Sequence, residues 1–162
     1  MEISRGRGYL NLKMLIKHEW RSRLISFALA NNSLGENNML RIKEMLVDMY
    51  ECEGDLNNEK FLCETLETAA KNVGAKVIHK TTQRFSPTGV SVILILAETH
   101  ISIHTWPEYR YAALDIFICG EGKNPEVAWN VIKEALKPKK FRIKKIERIV
   151  GKQGDFEREE SR

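Results

Sequence analysis

The side chains best suited to chemistry fall within one stretch, Ser91 to Cys119. A long apolar run ends there abruptly in Glu98-Thr99-His100, and His104 and Cys119 follow at positions from which strands could aim them at one place. Hydroxyls, a carboxylate, imidazoles and a thiol at the end of a buried strand are the groups of nucleophilic and acid–base catalysis. A metal centre is the competing use of the two histidines. On a strand, His100 and His104 stand about 13 Å apart, far beyond the reach of one shared ion. Ile101, Ile103 and Pro107 favour extended backbone over a helix that would bring them together, so no metal is expected. Taken alone, Cys119 is a small core hydrophobe, and Cys52 and Cys63 are core thiols. Trp106 and Trp129 are packing residues, and His18 and His79 are surface residues.

The longer pattern gives these residues a different weight. It reads Glu98-Thr99-His100-Ile101-Ser102-Ile103-His104-Thr105-Trp106-Pro107-Glu108, then Tyr111-Ala112-Ala113, Asp115, Phe117 and Cys119-Gly120. This closely resembles the self-processing region of prokaryotic S-adenosylmethionine decarboxylases. The resemblance implies a pyruvoyl-type group made from the chain itself. A side-chain hydroxyl attacks the preceding carbonyl, the ester β-eliminates, and the break leaves a ketone that absorbs electrons when CO₂ leaves an amino-acid substrate. By this resemblance Glu98 ends the first fragment and Thr99 becomes the carbonyl. Ser91 assists processing, His104 is its base, and Cys119 returns a proton to the product's α-carbon. Phe85 stacks on the adenine and Glu108 holds the ribose. The assembly implied is α2β2, a homo-oligomer of processed protomers with sites near the subunit interface.

The family has serine where this chain has Thr99. Threonine keeps the hydroxyl, so the product would be a 2-oxobutanoyl group, but its stiff χ1 restricts the angle of attack, and slow processing or none is expected. Two other readings use the same scaffold. One is a decarboxylase of arginine; the other is an unprocessed, non-catalytic homologue that binds a nucleoside or regulates a partner.

Composition sets bounds on these readings. With 162 residues, 43% hydrophobic and 30% charged, the chain suffices for one domain with a real core. The net charge of +4 is spread along the chain, so no nucleic-acid partner is expected. Three cysteines without a CxxC pair give neither a disulfide framework nor a zinc knuckle and point to a cytoplasmic protein. Leu24 to Ala30 is too short to span a bilayer, and no secretory cleavage site follows it, so no membrane role is expected.

The elements that must position the site follow from periodicity. Residues 1–40 read as an N-terminal extension, partly helical or disordered, or as the result of start-codon choice, with Met39 or Met45 as later starts. Residues 41–150 form the decarboxylase-like domain, and 151–162 a charged flexible tail. Met45 to Tyr50 alternates as a strand, and Asp55 or Asn57 is placed to cap a helix carrying Phe61, Leu62, Leu66, Ala69, Ala70 and Val73, with Gly74 at its end. Lys76 to Phe85 is a strand, Ser86 to Gly89 a turn, and Val90 to Glu98 a strand buried on both sides. Strands follow over His100 to Thr105 and Tyr111 to Cys119. Asn124-Pro125 starts a helix with Val127, Ala128, Val131, Ile132, Ala135 and Leu136 on its apolar stripe, and Pro138 halts it. A basic edge strand runs from Phe141 to Val150. The order predicts an α+β fold, a two-layer α/β sandwich with helices on one face of a mainly antiparallel sheet.

Overall fold

The computed structural model describes residues 40–120 and 122–150; the tail expected at residues 151–162 and the extension expected at 1–40, apart from Leu40, which belongs to the first strand, lie outside the described residues. The elements are β1 (Leu40–Tyr50), α1 (Glu59–Asn72), β2 (Val77–Arg84), β3 (Val90–Leu96), β4 (His100–Trp106), a 3-10 turn (Pro107–Tyr109), β5 (Tyr111–Cys119), α2 (Pro125–Leu136) and β6 (Lys140–Val150). The six strands form one sheet in the order β2-β3-β4-β5-β1-β6, every neighbour antiparallel. The two helices pack on each other and on one face, which is the α+β sandwich expected.

Strand alternation makes the two faces chemically different. Met45, Val47, Met49, Val90, Val92, Leu94, Ile101, Ile103, Leu114 and Ile116 are buried with Leu62, Leu66, Ala69, Ile132 and Leu136 of the helices. The intervening residues point to the other, open face. Ser91, Ser102, His104, Asp115, Phe117 and Cys119 therefore share it, because Ser91 pairs with His104, Ser102 with Asp115 and His100 with Phe117.

Several expectations need correction. β3 is not buried on both sides, since Ile95 is 46% exposed on the open face and Ile93 is half-buried. β1 starts five residues before Met45, because β6 pairs along its whole length and β5 along Ile42–Met49; its early Arg41 is accommodated by an ion pair with Glu147 at 3.3 Å. Neither Asp55 nor Asn57 caps α1. Asn58 does, its Oδ1 accepting from the Phe61 N–H at 3.1 Å, while Asp55 Oδ1 accepts from Asn57 N–H. Val127 is 40% exposed, and Trp129, 5% exposed, takes its place in the core. Trp106 is 40% exposed rather than packed inside. Asn124 caps α2 as expected, β6 is an edge strand with Arg142, Lys144 and Lys145 exposed, and His79 is exposed on the opposite edge strand.

Candidate active site

The β3–β4 hairpin places the Glu98–Thr99 bond at its tip. Leu96 and His100 bound a three-residue turn, closed by the Leu96 N–H donating to the Thr99 carbonyl at 2.9 Å. Thr99 is half-buried. With His100 opposite Phe117, the last residue of β5, Cys119, comes level with this tip. The Cys119 side chain is buried at 4% exposure. Burial pushes its thiol pKa up, and the nearby Glu98 carboxylate pushes the same way, while Lys123 opposes them. The group is therefore a protonated thiol at neutral pH, an acid rather than a nucleophile. The His100 ring tilts against Phe117 with centroids 5.4 Å apart, and the Arg148 guanidinium lies over the Phe117 ring, 5.2 Å from its centroid.

A second group of predicted residues sits at the opposite end of the same strands. Ser91 Oγ and His104 Nδ1 are hydrogen-bonded at 2.6 Å, the arrangement in which an imidazole can take a hydroxyl proton. Thr105 braces the neighbouring residue. Its buried Oγ1 accepts from Val90 N–H at 2.9 Å and donates to the Leu56 carbonyl at 2.8 Å. Phe85 is 54% exposed just after β2, and the turn behind it is held by its N–H donating to the Gly89 carbonyl at 2.9 Å. Gly89 has φ +112°, and a methyl there would meet the Thr105 carbonyl at 2.9 Å, so only glycine serves. Its N–H donates to Asn57 Oδ1 at 3.0 Å, which ties the aromatic loop to the start of α1. Glu108 is exposed in the 3-10 turn, and its Oε2 accepts from Thr88 Oγ1 at 3.0 Å.

The predicted residues thus form two clusters, Glu98, Thr99 and Cys119 at one end and Ser91, His104, Phe85 and Glu108 at the other. Thr99 and His104 are five residues apart on extended chain, about 17 Å. One copy of the chain does not bring them together.

The pattern in the hairpin and the sheet that carries it agree with what comparison finds. The S-adenosylmethionine decarboxylase family pattern matches residues 43–149. The chain belongs to that family. It is 47% identical over 107 residues to an S-adenosylmethionine decarboxylase proenzyme of Methanococcus aeolicus, covering 65% of this chain and 92% of the relative. A proenzyme of the same name from Prochlorococcus marinus is 43% identical over 107 residues, covering 65% and 86%. The crystal structure of the adenosylmethionine decarboxylase from Aquifex aeolicus superposes with a TM-score of 0.65 at 31% identity, covering 74% of this chain and all of that one.

Some residues around the decarboxylase-like clusters escaped the sequence reading. Lys123 pairs with Glu98, and Asn57 and Thr88 hold the two loops that carry Phe85 and Glu108. Only Lys123 had a usable signal, its place between the Cys119-Gly120 pair and the Asn124-Pro125 helix start. Tyr111 donates to Asp48 Oδ1 at 2.6 Å on the open face, and burial with that carboxylate holds its phenol protonated. Among the described residues no helix is long and apolar enough to cross a membrane.

Proposed function

We propose that this chain decarboxylates S-adenosylmethionine with an oxoacyl group made from its own Thr99, and that the product supplies aminopropyl groups for spermidine synthesis. The observation that carries this reading is the Glu98–Thr99 bond at a hairpin tip beside the buried, protonated Cys119.

In self-processing the Thr99 hydroxyl attacks the Glu98 carbonyl carbon, which turns the peptide into an ester. Loss of the Thr99 Cα proton expels the Glu98 carboxylate and breaks the chain. Hydrolysis of the resulting enamine releases ammonia and leaves a 2-oxobutanoyl end. Thr99 is half-buried rather than enclosed, so its extra methyl has a side on which to lie. That group supplies the electron sink for decarboxylation. Cys119 keeps its proton at neutral pH and delivers it from Sγ to the product's α-carbon. The exposed ring of Phe85 offers a face to the adenine and to a sulfonium cation, and the Glu108 carboxylate accepts from ribose hydroxyls.

His104, with Ser91 bonded to it, is the base for processing, but it serves the Thr99 of a second copy. Two open faces stacked about a twofold axis lay the hairpin tip of one chain over the Ser91–His104 end of its partner, giving two equal sites in an α2β2 assembly. Intact-mass measurement is the test. Fragments comprising residues 1–98 and 99–162 are expected, with a borohydride-reducible carbonyl on the second, together with release of labelled CO₂ from S-adenosylmethionine. A single uncleaved species inert to carbonyl reagents would refute the reading, and CO₂ from arginine alone would move the substrate.

A further inference from the structure

Lys123 stands in the loop between β5 and α2, just ahead of the Asn124 cap and Pro125, which fix the chain's direction there. Its Nζ lies 3.1 Å from Glu98 Oε2, with the two side chains only 24% and 32% exposed. Gly120 has φ +113°, and a methyl group on it would come within 3.3 Å of Lys123 Cδ and Cε, so the lysine lies flat over the glycine. The Lys123 N–H also donates to the Gly120 carbonyl at 3.3 Å. An ammonium is thereby fixed between the residue that precedes the scissile bond and the end of the strand that carries Cys119.

We propose that Lys123 is a positioning residue, clamping Glu98 against the end of β5 before cleavage and holding the carboxylates of the new chain end afterwards. The second half rests on the decarboxylase reading; the first does not. Cleavage turns the Glu98 carbonyl into an α-carboxylate, so residue 98 then carries two negative charges beside a thiol. Without a facing cation, no charge in the loop holds this doubly negative end against the end of β5. Lys123 offsets one of the two charges and retains the end. Among the described residues, the charges facing Cys119 are Glu98 from the hairpin and Lys123 from the loop. Across β1, where Ile42 separates Cys119 from Arg148, the remaining cation is itself paired with Glu44 at 2.6 Å.

The test begins in a Thr99→Ala background, which does not cleave. There the pH midpoint of iodoacetamide alkylation at Cys119 is read peptide by peptide, so that Cys52 and Cys63 are separated from it. Lys123→Met removes a cation and should move the midpoint up by about half a pH unit, and Glu98→Gln should move it down. Lys123→Arg should leave it in place. Midpoints that move in the same direction for Met and Gln, as simple loosening would produce, or no shift for Lys123→Met, overturn the clamp. In a cleavable Thr99→Ser chain, Lys123→Met should slow cleavage about five-fold, with Lys123→Arg restoring it to within about two-fold. An undiminished rate overturns the processing role. A Thr99→Ser parent that never cleaves overturns the decarboxylase reading and the second half of the proposal, while the alkylation shifts still decide the first.

Discussion

Within one chain, His104 cannot act on the Thr99 of the same copy. Five residues of strand at ~3.3 Å each put them about 17 Å apart, against the roughly 3 Å a proton transfer requires. The hydrogen bond between Ser91 Oγ and His104 Nδ1 at 2.6 Å further fixes the imidazole at its own end of the sheet. If two copies complete each other's sites, inactive variants should rescue one another. Co-expressed Thr99→Ala and His104→Ala chains, paired at random, place about half of each variant in mixed dimers. Each mixed dimer has one complete site, joining Thr99 of the His104→Ala chain with His104 of the other, and one site lacking both. About half of the His104→Ala chains are therefore expected to be cleaved in the mixture, and none when expressed alone. Intact-mass analysis counts the cleaved fraction, and native mass spectrometry verifies that mixed dimers form. Cleavage of the His104→Ala chain by itself, or mixed dimers that stay whole, would refute the reasoning.

Further outcomes are expected. Thr99→Ser should cleave about ten-fold faster or more, because an unbranched side chain reaches the attack angle more freely, and its carbonyl fragment should be one methylene lighter. The Cys52 thiol is pushed up to about 11 from its ordinary 9.0 by burial, so the unfolded chain loses this proton first as pH rises and stability falls between those values. The full loss is about 3 kcal/mol, and urea titrations of a Cys52→Ala variant should show a shallower alkaline decline than the native chain. Thr105→Val leaves the buried Val90 N–H without its acceptor and should cost about 1–3 kcal/mol in the same urea assay.

How much of this was legible beforehand depends on whether a local pattern or a long-range contact carried the information. The sandwich, both helices and the four inner strands follow from periodicity, because each of these has one face in a single core, whereas the mostly exposed β2 and β6 are marked instead by their place between turns. The N-terminal cap of α1 did not, since Asp55, Asn57 and Asn58 are equally good capping types and the choice falls to tertiary demand. Asn57 is taken up by Gly89, 32 residues away, and Asn58 is left to the helix. An apolar run such as Val90 to Leu96 looks doubly buried, yet nothing in its own composition says that helices cover one side only. The residues proposed here to carry the chemistry were named from the resemblance rather than from periodicity. Their division into two clusters was not legible, because it depends on where β4 turns back and which residue of β5 lies opposite.

The same pairing couples the core to the chemistry. On β3, β4 and β5 the helix face takes Val92, Ile103 and Leu114 while the open face takes Ser91, His104 and Cys119. A slip of one residue in β4, for example, would exchange its two faces, putting His104 and Ser102 under the helices and Ile103 in the site. The apolar burial that fixes register therefore also fixes which side chains face outward, without any polar interaction having to do so. Phe85 and Glu108 lie beyond the strands and escape this control, which is why each needs its own tether, through Gly89 to Asn57 and through Thr88. Loosening those tethers should weaken substrate binding while cleavage at Thr99, governed by register, proceeds unchanged.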